Sequence, residues 1–77
     1  MTKGYNGHKN WNHWNVGLWI GNDEGLYSAA REFIRCADNR KHAAECLLRY
    51  LASAGHTKTP DGAPYTVTSI RAALRGL

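Results

Sequence analysis

Three tryptophans, Trp11, Trp14 and Trp19, fall within nine consecutive residues of a 77-residue chain and are all the tryptophan it has. They stand in a run from Tyr5-Asn6-Gly7 to Tyr27, among asparagines, histidines and glycines, that closes on Asn22-Asp23-Glu24-Gly25-Leu26-Tyr27. Aromatic side chains bury more area than any others, so such a cluster either anchors a very small core or forms a docking surface. A chain this short is read as one domain, residues 1–77. Folding then buries only about 60–65% of the surface the unfolded chain exposes, which leaves little for a deep enzymatic cleft.

Apolar spacing of helical period dominates from Asn10 to about Ala54. The first helix is expected to begin after Asn10 or Asn12, where an asparagine side chain accepts a bond from a first-turn N–H, and to end before Asn22. Trp11, Trp14 and Leu18 share one stripe of it, Trp19 flanks that stripe, and Val16 and Ile20 point elsewhere. The spacing therefore predicts Trp11 and Trp14 as anchors onto the second and third helices, with Trp19 at the edge where a partner can reach it. Asn22 or Asp23 caps a second helix running to about Ala37, with Leu26, Ala29, Ala30, Phe33, Ile34 and Ala37 inward and Arg31, Glu32 and Arg35 wet.

Asp38-Asn39 breaks and recaps the chain. A third helix follows with Ala43, Ala44, Leu47, Leu48, Tyr50 and Leu51 inward, and it stops at Gly55, a fitting left-handed residue. Pro60-Asp61-Gly62 reads as a turn. Thr66 or Thr68 caps a last helix with Val67, Ile70, Ala73, Leu74 and Leu77 inward and Arg71 and Arg75 on one flank, ended by Gly76. The sum is a mainly α chain, a compact bundle of three to four short helices with room for a tiny β-hairpin or wing at about 56–66.

Ten Lys and Arg against six Asp and Glu give a net charge of +4 and a pI near 9.4, a mild preference for acidic partners, nucleic acid or an acidic protein face. No run of about 18 apolar residues is present to span a bilayer, and the N-terminus lacks the basic-then-apolar order of a secretory signal. The chain is therefore expected in the cytoplasm, away from membranes, as a monomer. Cys36 and Cys46 do not make a disulfide framework and are expected as free thiols, with a disulfide as the alternative if neighbouring helices bring them together.

Catalytic chemistry finds little support. His42 and Cys46, at i and i+4, are a weak metal-ligand pair that Cys36 could join, and a nucleophile–base pair without a third member. No paired carboxylates or phosphate-binding glycine loop accompany them, so no enzyme, metal or cofactor is expected. A nucleic-acid contact is better supported, because Lys58, Thr66, Thr68, Ser69 and Arg71 offer hydroxyls, helix N–H groups and cations to phosphates.

Two resemblances bear on these readings. The segment from Gly55 to Leu74, with its threonine and glycine turn, Tyr65-Thr66, and the helix carrying Ile70, Arg71 and Leu74, resembles a DNA-binding part of large serine recombinases. That likeness covers about a quarter of the chain and none of the recombinase catalytic domain, and it implies DNA contact without strand cleavage. Tyr5-Asn6-Gly7, Asn10-Trp11, Trp14-Asn15-Val16, Leu18-Trp19-Ile20 and Asn22-Asp23-Glu24-Gly25-Leu26-Tyr27 resemble the opening of small, mostly uncharacterised phage and mobile-element proteins. His13 departs from that pattern, where an acidic or small residue is commoner.

A basic accessory chain of this kind is similar to the anti-defence proteins that phages direct against restriction or CRISPR–Cas systems. The resemblance implies an anti-CRISPR, type I or related, that binds an effector protein or nucleoprotein complex stoichiometrically and blocks target-DNA recruitment. Trp19, Arg31, Arg35, Lys58, Arg71 and Arg75 are the residues expected to meet that partner. The net charge of +4 argues against DNA mimicry. The alternative is a small DNA-binding regulator using the C-terminal helix.

Overall fold

Four side-chain caps set the helix boundaries. A computed structural model describes residues 10–75 and 77; the Tyr5-Asn6-Gly7 motif and the stop expected at Gly76 lie outside the described residues. Helix α1 spans Trp11–Asn22, α2 Glu24–Cys36, α3 Arg40–Ser53 and α4 Val67–Leu74. The side chains of Asn10, Asp23 and Asn39 each accept a bond from the backbone N–H three residues on, in His13, Leu26 and His42. Thr66 and Ser69 form a reciprocal capping box at α4. These bonds satisfy donors that a helix start otherwise leaves unpaired. Asp23 serves twice, since its own N–H ends α1 on the Trp19 carbonyl while its carboxylate starts α2, so one residue makes the corner between them.

Each helix packs on its neighbours in a ring of four, α1 on α2, α2 on α3, α3 on α4 and α4 back on α1. The Cα radius of gyration is 11.6 Å, close to the roughly 11.5 Å expected for a globule of this length. The core consists of Val16 and Ile20 of α1, Ala30 of α2, Ala43, Ala44, Leu47 and Leu51 of α3, Ile70 and Leu74 of α4, and Ala63 and Tyr65 of the loop between α3 and α4. The inward faces expected for α2 and α4 hold, with Leu26, Ala29, Phe33, Ile34, Ala37, Val67, Ala73 and Leu77 partly buried against that core.

Two expectations are corrected. Trp11 and Leu18 are 40% and 37% exposed, Trp14 is half-buried, and the buried face of α1 is His13, Asn15, Val16 and Ile20. The stripe expected inward thus faces outward, and the main neighbours of α1 are α2 and α4. Because α1 is apolar over most of its circumference, periodicity does not select a face, and contacts with the rest of the chain do. Tyr50 of α3 is 50% exposed, with its ring tilted against Phe33 at 5.8 Å between centroids.

The loop from Gly55 to Tyr65 is ordered by its own bonds. Gly55, at φ +85°, donates to Ala52, and His56 donates to Leu51, the two bonds of a Schellman stop. Thr59 to Gly62 form a turn closed by the Gly62 N–H on the Thr59 carbonyl, with Pro60 where its fixed φ suits the turn. Gly62 itself has φ +97°, a conformation that strains any side chain. Thr59 donates to Ala63 and Tyr65 to Thr57. The expected hairpin is reduced to one antiparallel bridge between Lys58 and Pro64, and no strand is present among the described residues.

Candidate functional site

The loop is fastened to α1 through side chains. Asn15, buried one turn before Trp19, accepts from the Thr59 hydroxyl at 2.6 Å and donates through Nδ2 to Oδ2 of Asp61 at 2.8 Å. The Trp19 indole N–H donates to the same carboxylate oxygen at 2.9 Å, and the Thr59 hydroxyl accepts from the Ala63 N–H at 3.0 Å. Asn12 adds a bond from Nδ2 to the Pro64 carbonyl at 3.3 Å. The donors on Asp61, Asn15 first and Trp19 second, hold its carboxyl below the ordinary aspartate range because they favour the charged form.

This clasp builds one wall of a groove of about 420 Å³. Trp19 comes from α1, Asp23 and Leu26 from the α1–α2 corner, Tyr50 and Leu51 from the end of α3, and His56, Lys58, Pro60 and Tyr65 from the loop. Burial, and secondarily the charge of Asp23, pushes the Tyr65 phenol up, so its hydroxyl stays protonated. Apolar floor, aromatic walls and exposed polar rim suit it to holding a side chain of a partner.

A second groove, of about 450 Å³, lies along α2 and is lined by Tyr27, Arg31, Glu32 and Arg35 with Leu77 at its far side. The six residues expected to meet a partner are therefore divided. Trp19 and Lys58 line the first groove, and Arg31 and Arg35 the second. Arg31 lies over the Tyr27 ring at 5.7 Å and Arg35 is paired with Glu32, whose carboxyl that pairing holds below its ordinary range. Arg71 on α4 and Arg75 at its C-cap are exposed, and neither they nor Lys58 has an acidic partner among the described residues.

Of the hydroxyls expected to contact phosphate, Thr68 is exposed, while Ser69 is fully buried with its oxygen engaged in the α4 cap. Thr66 shares that cap, accepting from the Ser69 N–H. The two cysteines are free, Cys36 exposed near Glu32 and Cys46 partly buried near Arg49. His42 Nδ1 sits 3.9 Å from Asp38, and among the described residues no three His, Cys, Asp or Glu side chains are grouped to hold a metal. No helix among the described residues is long and apolar enough to cross a membrane.

Sequence reasoning missed Asn15, Thr59 and Asp61 as a set, and Tyr50 and Tyr65 as groove walls. The one local signal was Asn15 itself, an amide between Trp14 and Val16 in an otherwise apolar turn. A buried amide calls for partners, and those partners lie 44 and 46 residues away.

The architecture and the groove define a small all-α protein of four capped helices with an aromatic groove walled by a clasped loop. The chain belongs to a family of unknown function (DUF7249), whose pattern matches residues 1–74. Neither a curated protein nor a solved structure matches it.

Proposed function

We propose that the chain is a non-catalytic docking protein that acts by occupying a face of a larger assembly, and within that class an inhibitor of a CRISPR effector complex that keeps target DNA from being recruited. The observation that carries the reading is the set of cations left over after pairing. Lys41 is taken by Glu45, Arg35 by Glu32 and Arg40 by the Leu74 carbonyl, whereas Lys58, Arg71 and Arg75 have no such partner among the described residues. Arg71 of α4 and Arg75 at its C-cap are four apart, a spacing at which like charges repel by a few tenths of a kcal/mol. An acidic face on a partner relieves that repulsion and speeds encounter.

The resemblance of the tryptophan segment to small phage proteins supports the finer assignment. Titrating the protein into a purified type I effector with labelled target duplex tests it. Loss of target binding that saturates near one equivalent, with little affinity for free duplex, is the expected result.

The second reading, a DNA-binding regulator, is favoured by the exposure of Thr68 and Arg71 on α4. It requires binding to free duplex that falls steeply with salt and is lost in Arg71→Ala, and that outcome would overturn the inhibitor.

A further inference from the structure

The geometry points to the Trp19–Tyr50–Tyr65 groove as the docking face, and to its occupant as a short protein segment that presents one apolar anchor with a carboxylate beside it. This rests on the docking reading above and names the partner chemistry. Shape comes first. The groove has the volume for a large side chain, yet its rim residues Tyr50, His56, Lys58 and Pro60 are all exposed. Drug-sized ligands are usually buried over most of their surface, whereas an anchor side chain needs a pocket only at its tip.

Charge comes second. The Asp23 carboxylate on the groove accepts the Leu26 N–H and sits at the positive end of α2, so its charge is already answered. Lys58 makes no ion pair among the described residues, so its ammonium is an unpaired cation on the groove. An occupant therefore gains by bringing a carboxylate to Lys58 once its apolar side chain is seated.

Preorganisation comes third. The indole N–H of Trp19 is held by Asp61, which is held in turn by Asn15, and Pro60 lies next to Asp61 in the turn. Both the aromatic wall and the loop wall are thus fixed before a partner arrives, which lowers the ordering cost of binding. Asp61 and Asn15 are positioning residues for this surface.

The test uses ¹⁵N-labelled full-length protein and three sets of synthetic dodecapeptides, each with a central Phe or Leu and flanked by Asp/Glu, by Lys/Arg, or by Gly/Ser. The acidic set is expected to move the Trp19 indole resonance and the amides of His56 and Lys58, and to leave Arg31 and Arg35 in place. Tyr50→Ala is expected to weaken that binding about tenfold and Lys58→Glu about fivefold. Both side chains are exposed, and unchanged α4 amide shifts confirm that the variants fold.

Equal response to all three sets, shifts confined to the α2 groove, or no response at millimolar peptide would overturn the inference. Running both variants in the effector titration separates the two claims. Undiminished inhibition by Tyr50→Ala and Lys58→Glu sinks the groove and keeps the inhibitor. Acidic-peptide binding with an indifferent effector keeps the groove and sinks the inhibitor.

Discussion

The two sides of the helix ring are held together by different means. Where α2 meets α3, small apolar residues do the work. Ala30, Ala43, Ala44 and Leu47 are fully buried, and the ion pairs Arg35–Glu32 and Lys41–Glu45, each within one helix, lie on the surface. Where α1 meets the loop, the contact is a hydrogen-bonded clasp, with Asn15 and Thr59 buried and Asp61 at the edge of solvent. The first kind of contact is tolerant of detail, because hydrophobic stabilisation follows area and not direction. The second is directional, and it fails when one member is removed, since the others are left without partners.

A small chain can place an accessible surface on a loop that is fastened by side chains. A clasp fixes a loop without covering it, so the loop can wall a groove, while the alanine seam supplies the stability that the groove does not.

Breaking the alanine seam should cost most. Leu47→Ala removes a fully buried core side chain of α3 and is expected to lower stability by about 2–5 kcal/mol, read by urea unfolding followed by helical circular dichroism. Asn15→Ala cuts the clasp and is expected to cost about 1–3 kcal/mol by leaving the Thr59 hydroxyl and the Asp61 carboxylate short of a partner. The same variant should free the loop while the α2 and α3 amide shifts stay put, an outcome that Leu47→Ala does not share.

Thr66→Ala removes the α4 cap beside the loop and is expected to cost about 1 kcal/mol in the same unfolding experiment. Acid should then distinguish the two sides without mutation. Because the folded pKa of Asp61 is depressed, the clasp contributes stability that is fully present above the unfolded aspartate value near 3.9 and is lost as pH falls through the folded value. The Trp19 indole resonance is expected to shift in that window in the wild type, and the step should vanish in Asp61→Asn. The smallest effect belongs to the surface pair. Glu45→Gln removes the partner of Lys41 at 3.0 Å and should leave the unfolding midpoint unchanged, because exposed pairs contribute little.

Much of the alanine seam was legible in the sequence, and the clasp was not. Asp23, Asn39 and Thr66 are short acceptors standing just before apolar-periodic runs, which is the local chemistry of a cap, and Gly55 follows the last periodic residue of α3. Ala29, Ala30, Phe33 and Ile34 mark one face of α2 because the opposite face is charged.

On α1 no such contrast exists, so the choice between the Trp11–Trp14–Leu18 stripe and the His13–Val16–Ile20 face passed to contacts far along the chain. The structure takes the second face because it also brings Asn15 under Thr59 and Asp61. Pro60-Asp61-Gly62 announced a turn, and its position on α1 had no local signal at all. Tyr50 falls on the helical period of the α3 core and still lies half outside, since the Phe33 ring takes only one side of it.

Amide hydrogen exchange on the wild type and on Asn15→Ala tests most directly the claim that the clasp fastens the loop to α1. In the wild type the N–H groups of Thr59, Ala63 and Tyr65, all bonded inside the loop, should be protected. In Asn15→Ala they should lose that protection while the amides of Ala44 and Leu47 in α3 keep theirs up to the lower global limit. Loop amides that exchange freely in the wild type, or that stay protected when Asn15 is gone, would contradict the account.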